Sequence, residues 1–523
     1  MNKRTWLFVT VVFCFGFEAL LVILRPTLGL LLHTRIERFL ADRFQSQVSI
    51  SEFRFSFRPL PKVTIVGLTL RHHNRSDIAP LLHIAELSLT PDLTSLLRPK
   101  LRFASVQVNG LELTFPPRAP TEARKKDSSF DLPAKFPLLV AELTARNVTI
   151  TLLPARFDKR PLVLMLGQLK FRNLNFDAPS EFEAQLTNAV PRGEIHVKGT
   201  FGPWHGLEPT ATPIQADYEF LHANLGTIRG LRGMLSSTGN FAGPLDYLEV
   251  HGNTVTPDFT LARVGNPLEL RTEFSAVVDG TNGNTYLHSI AAHFLSTTLY
   301  VNGEVVDLVS GIPARTIILQ AESNSARAED LIRLAVKTPS PVLKGPVRLK
   351  ARIRIPEQDK DLSDRLDVAA SFLLAPGEFG NPSLQGKVDA LSRKGLGQPK
   401  DMSIAHVPSR LDASIHTVQG IVHFSKIAYA VPGAHLNVLG SYTLGKGTLN
   451  FRGYLFLDAS LSQTTTGIKS LLLKPVDPFF RSPDGGTKLP VKITGTKDHP
   501  IFGLDRNKGD KRTVSRGIAA NLR

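Results

Sequence analysis

The chain has almost no cysteine: one in 523 residues, at Cys14. That excludes an intrachain disulfide and a thiolate metal cluster. Because Cys14 sits inside an apolar run, it also excludes a soluble cysteine nucleophile. Tryptophan is nearly as scarce, with two residues against 31 Phe. Catalytic signatures are missing as well. There is no Gly-x-Ser-x-Gly elbow, no phosphate loop, no His-Glu-x-x-His and no Gly-x-Gly-x-x-Gly opening a helix. Nor does any zinc finger, basic helix or aromatic-interleaved basic motif accompany the net charge of +16, which argues against nucleic acid as a partner. The expectation is a protein that is not an enzyme and uses no cofactor.

Three small constellations favour bland explanations. His72 and His73 are adjacent, so in a strand they would point to opposite faces, and a solvated pair suits them better than a metal site. Asp359, Asp361, Asp364 and Asp367 lack the glycine and distal Glu of a calcium loop. Trp204 and His205, between Gly/Pro-rich turns, suit packing.

What the sequence does have begins at residues 5–24, TWLFVTVVFCFGFEALLVIL, with Glu18 as the one charge. At about 1.5 Å per residue this is enough apolar helix for a hydrocarbon core of about 30 Å. Trp6, Phe8, Phe13, Phe17, Leu21 and Leu24 would form the anchor. The alternative is a cleaved signal peptide, but the exit, Val22-Ile23-Leu24-Arg25-Pro26, has no small-x-small site. Lys3 and Arg4 favour a cytoplasmic N-terminus, with everything from Arg25 onward across the membrane. Hydrophobic content of 42 % and a mean hydropathy of −0.02 exclude wholesale disorder.

The positive charge is concentrated at the two ends. Residues 1–130 hold 18 Lys+Arg against 10 Asp+Glu, residues 446–523 hold 14 against 6, and the middle holds 30 of each. Two basic ends suit contact with anionic lipid surfaces, at about 1 kcal/mol per charge. Residues 28–44 place Leu28, Leu32, Ile36, Phe39, Leu40 and Phe44 at helical spacing opposite Arg35, Arg38, Asp42 and Arg43. This amphipathic helix either lies in the membrane interface or caps a sheet, and the cap is the preferred expectation.

From Val48 the period changes to two. Phe53, Phe55 and Phe57 alternate with polar residues, Val63, Ile65, Leu68 and Leu70 follow, and Asn109-Gly110 between two runs predicts a hairpin. The texture continues to Val491-Lys492-Ile493, the last clear strand. A helix capped by Ser325 interrupts it, an irregular Gly/Pro stretch precedes residue 411, and turns are predicted at Gly440 and at 445–447. The expected fold class is mainly β: an N-terminal transmembrane helix, then an elongated antiparallel β body with a few short helices. Its units are an anchor (1–27), an N-terminal region (28–115), a polar Pro-rich linker (116–133), a central β region (134–340), a C-terminal β region (341–505) and a basic tail (506–523). Such strands close into a sandwich or stay open as an apolar trough; pattern alone favours the sandwich.

Two regions carry a resemblance. Residues 1–115, with FRFSFRPLPKVTIVGLTL and FASVQVNGLELTF, and residues 367–505, with GAHLNVLGSYTLGKGTLNFRGYLFLDASLSQTTTGIKSLLLKPVDPFF and GGTKLPVKITGTKDHPIFGLD, resemble the AsmA family. The resemblance implies a bacterial inner-membrane protein with its body in the periplasm. It also implies a groove related to chorein-type lipid-transfer proteins, which reverses the preference toward the trough. Phospholipids would be the cargo, with outer-membrane or envelope proteins as further partners; a non-enzymatic scaffold for outer-membrane proteins is the alternative. Candidate groove-lining residues are Phe55, Val63, Ile65, Val108, Leu113, Val438 and Phe451.

Overall fold

A computed structural model of the protein describes residues 37, 41, 47–56, 61–71, 80–92, 101–115, 138–153, 162–175, 177–189, 191–204, 211–261, 265–280, 282–307, 315–337, 340–356, 365–444, 446–466, 474–483, 485–496 and 499–505. The predicted anchor (5–24), the linker (116–133), His72-His73, Asp359, Asp361, Asp364, His205 and the basic tail (506–523) lie outside them. Of the amphipathic segment 28–44 only Glu37 and Ala41 are described, both helical. Among the described residues no helix is long and apolar enough to cross a membrane.

Strands with period-two alternation can bury only one face, so they assemble side by side and turn their apolar faces the same way. Here they form one curled half-barrel sheet of 26 strands. β1 (Gln47–Ser49) and β2 (Glu52–Ser56) both pair antiparallel with β3 (Lys62–Arg71), which is followed by β4 (Leu82–Pro91) and β5 (Leu101–Phe115). β6 (Leu138–Leu152) pairs parallel with β5. From there every described pair is antiparallel. The order is β7 (Leu162–Asn175), β8 (Ser180–Ala189), β9 (Arg192–Phe201), β10 (Pro213–Asn224), β11 (Leu231–Arg232), β12 (Met234–Pro244), β13 (Leu248–Leu261) and β14 (Leu268–Val278). It continues through β15 (Thr285–Phe294), β16 (Thr297–Asp307), β17 (Arg315–Arg327), β18 (Leu343–Lys344), β19 (Pro346–Ile355) and β20 (Asp367–Phe379). It ends with β21 (Ser409–Val418), β22 (Ile421–Val431), β23 (Ala434–Thr443), β24 (Thr448–Leu457), β25 (Thr487–Thr496) and β26 (Pro500–Leu504). The two-residue β11 and β18 flank the main ladder, pairing with β13 and β20. Among the described residues no second sheet faces this one, so the sandwich expected from pattern alone gives way to an open curl.

The Asn109-Gly110 hairpin does not form. β5 runs straight through, and Gly110, at φ +65°, lies inside it with the pairing register unchanged on either side. It lies opposite Ala85 on one side and Asn147 (φ +54°) on the other, in line with Gly67 (φ +65°) and Gly167. In each of these five strands the apolar spacing opens to three at this line: Ile65 to Leu68, Ile84 to Leu87, Val108 to Leu111, Ala145 to Val148 and Leu166 to Leu169. In β3, β5 and β6 a left-handed residue, Gly67, Gly110 or Asn147, takes up the added position, so the apolar side returns to the same face. Gly440 likewise marks no turn. It lies within β23, where a Cβ would sit 2.8 Å from the Phe451 ring.

Two α-helices are described, α1 (Ala328–Ala335) and α2 (Pro382–Gly395). α1 starts after Arg327, with Ser325 still inside β17, so the predicted Ser325 cap is replaced by an N-terminus without a side-chain cap. Glu329 and Asp330 do occupy its first turn, where the helix dipole favours acids. α2 replaces the irregular stretch expected before residue 411. Its signals are Asn381, whose side chain accepts from the Ser383 and Leu384 N–H groups, Pro382 at the first turn, and Arg393 and Lys394 in the last. β26 extends the sheet beyond the last strand expected.

Gly110 sets a test of the left-handed line. A Cβ there would lie 2.9 Å from the Ala85 methyl, at a φ that β-branched residues avoid. Gly110→Val is expected to cost about 1–3 kcal/mol, measured as a lowered urea midpoint, whereas Gly386→Ala, with nothing within 4 Å, is not.

Candidate functional site

Register alone defines the apolar face. Starting at Phe53, cross-strand partners follow one another through Ile65, Leu87, Val108, Ala145 and Leu169. The same row continues over Ala184, Val197, Tyr218, Gly239, Gly252 and Phe274. It goes on through Ile290, Val301, Ala321, Ala351, Ala370 and Ile415, and finishes at Phe424, Gly440, Phe451, Ile493 and Phe502. The row crosses every strand from β2 to β26 except the two-residue β11 and β18, and Tyr218 is its one polar side chain. One position along on the opposite face, the partners Thr144, Lys170, Glu183, Lys198, Asp217 and Asn240 are polar throughout. Exposed ion pairs, such as Lys198 with Glu183 at 3.9 Å, lie there.

All seven candidate lining residues fall on this apolar side, but in two settings. Ile65 and Val108 are buried in the cluster built by β3 to β7, with Val63 packed against it. Leu113 lies between Leu82 and Ile150, and Phe55 opposite Val63. Val438 and Phe451 instead line a cavity of about 530 Å³ near the other end of the sheet.

In the middle the face is lined by small residues and hydroxyls. The Tyr218 ring lies over Gly239 and the Phe274 ring over Gly252, where any Cβ would collide with them. Tyr218 Oη and Ser237 Oγ are 3.1 Å apart, and Thr254 Oγ1 and Thr272 Oγ1 are 2.6 Å apart. Burial pushes the Tyr218 phenol upward, against the Ser237 hydrogen bond, so it stays neutral and adds no charge to the wall.

α2 crosses the apolar face at the cavity. Leu384, Val388 and Leu391, spaced i, i+4 and i+7, share one helix face and line it. The other face carries buried Gln385, Asp389 and Ser392, each held by hydrogen bonds. Asp389 accepts from the His406 and Val407 N–H groups, both at 3.1 Å, and from Gln385 Nε2 at 2.9 Å. Ser392 Oγ donates to the Pro432 carbonyl at 2.7 Å, and Gln385 Oε1 accepts from the Phe379 N–H at 3.0 Å. Burial raises the Asp389 pKa, but the hydrogen bonds from Val407, Gln385 and His406 together outweigh it and leave the carboxyl below its ordinary range. No signal of this clamp stands out in the sequence, because Asp389 and its partners belong to separate segments.

Asp367, from the acidic cluster, opens β20 and lies 2.9 Å from His416 Nε2. Among the described residues no group of three His, Cys, Asp or Glu is placed to hold a metal ion. The Trp204 ring packs 5.9 Å from Phe201.

Asp389→Ala would leave the buried Val407 N–H without its partner, and is expected to cost about 1–3 kcal/mol, read as a lowered thermal midpoint. Because the folded pKa is depressed, the clamp is complete above about pH 4 and weakens as pH falls through the folded value. Protection of the α2 amides against hydrogen exchange, corrected for the intrinsic rate, should fall with acid in that window and lose this dependence in Asp389→Asn. Comparison with family models, curated proteins and solved structures gives no match to this chain.

Proposed function

We propose that the chain is a non-enzymatic lipid-handling protein whose curled sheet shelters the acyl chains of phospholipids. The observation that carries this is the apolar row from Phe53 to Phe502, backed by polar residues and faced by no second sheet among the described residues. Hydrocarbon laid along such a face gains about 0.8 kcal/mol per buried methylene, and glycerol and headgroup would stay at the rim. The apolar segment 5–24 would anchor the chain in a bacterial inner membrane with the sheet in the periplasm, serving outer-membrane biogenesis. The AsmA-like residues of 1–115 and 367–505 point the same way.

A scaffold for outer-membrane proteins is the second possibility, and one observation favours it. β26 ends the sheet with every residue exposed, Phe502 at 72 % and Ile501 at 63 %, and an edge of this kind accepts an added strand.

Lipid extracted from the purified full chain and measured by mass spectrometry should show phospholipid in stoichiometric amount. Phe451→Glu, on the apolar side, is expected to reduce it about tenfold, while Asn450→Glu, on the opposite face of the same strand, leaves it unchanged. A lipid-free wild-type protein that crosslinks to a protein client through β26 would reverse the order of the two proposals.

A further inference from the structure

The cavity under α2 has a cation at its wall. Lys387 lines it beside Leu384, Val388 and Leu391, and among the described residues no other charged side chain does. Lys387 is exposed, and among the described residues it has no ion-pair or hydrogen-bond partner. A lysine in this position lays its methylene stem along apolar surface and keeps its ammonium in water, so one end of an apolar cavity carries a free positive charge. The nearest acid on the helix, Asp389, is turned to the other side, where the His406 and Val407 N–H groups occupy its oxygens.

The opposite wall cannot offset that charge. The Tyr429 phenol is pushed upward by burial, against its hydrogen bond with Ser409 Oγ at 2.8 Å, and stays neutral. At about 530 Å³ the space is an open cleft of the ~300–1,000 Å³ size of small-molecule sites. Its helical wall is fixed, because Gln385, Asp389 and Ser392 tie α2 to the loops on its far side.

We infer that the cavity beneath α2 is a binding site for a long-chain anionic amphiphile, its hydrocarbon chain against Val388, Val438 and Phe451 and its carboxylate or phosphate at Lys387. This rests on the lipid-handling proposal above and gives that groove one place where the charge of the cargo is read. The anionic end gains a charge-assisted contact, whereas a neutral lipid of equal chain length gains only burial.

The test labels the full-length protein in its native membrane with diazirine-bearing palmitic acid, its neutral methyl ester, and a diazirine-bearing phosphatidylglycerol, followed by peptide mapping of the adducts. Both anionic probes are expected to label the peptides containing Leu384–Leu391 and Leu449–Phe451. Lys387→Glu should cut that labelling about tenfold and Lys387→Arg should retain it, while the ester labels these peptides equally in all three proteins. Lys387 is exposed, so neither variant threatens folding. Labelling of palmitic acid alone assigns the site to free fatty acids, and labelling of the phosphatidylglycerol as well assigns it to anionic lipids generally. Adducts confined to β3–β9, or adducts under α2 that ignore the charge at 387, overturn the inference and leave the groove intact. No adduct anywhere on the apolar face overturns both.

Discussion

Everything in this protein depends on an apolar face that the sheet itself cannot cover. Period-two alternation gives each strand one oily side, and near-sequential pairing keeps that side on one surface from β2 to β26. A sandwich hides such a surface by splitting its strands between two sheets. Here all 26 described strands belong to one sheet, so the surface can be relieved only by curling, by side chains filling the curl, by helices laid across it, or by something that is not part of the described fold. The first three are all visible, and they act in different places.

Between β3 and β7 side chains do the filling. Large branched residues pack together there, and Ile65, Val108 and Val148 are buried. The left-handed line through Gly67, Gly110 and Asn147 runs across these same strands. In the middle the row thins to Gly239 and Gly252, and then to Ala321, Ala351 and Ala370. Near the far end aromatic residues return at Phe424 and Phe451, 5.3 Å apart between centroids, and α2 lines one space with Phe451.

The β class and the facing of individual strands were legible, because alternation is a local property. All seven lining candidates, from Phe55 to Phe451, lie on the apolar side for that reason. The anchor at 5–24 remains an expectation of hydropathy alone. What local pattern could not convey was pairing. Asn109-Gly110 has the composition of a hairpin turn, and only its pairing with β4 and β6 on either side keeps it inside a continuous strand. Sandwich and open curl share the same alternation, since they differ only in what faces the apolar side. α2 was within reach: Asn381-Pro382 and the apolar positions 384, 388 and 391 are ordinary helix signals, obscured by Gly386 and by the Gly/Pro residues around them. The Asp389 clamp was not, because its partners lie at residues 406 and 407.

The placement of the two helices follows from the same constraint. α1 and α2 both lie at the ends of strands that bulge just before them, at Ser323/Ala326 in β17 and at Leu374/Gly377 in β20. Each is fixed by a buried acid. Asp330 accepts from the Ser296 N–H and the Thr297 hydroxyl, as Asp389 does from the loop at 406–407. A helix held only by its apolar face could be displaced by any ligand oily enough to compete for the sheet. A helix held on its far side by hydrogen bonds to a buried carboxylate stays in place when its apolar face is wetted or occupied. That is the arrangement required of a wall, as opposed to a plug, and it leaves the space between α2 and β24 available to a guest without unfolding the rim.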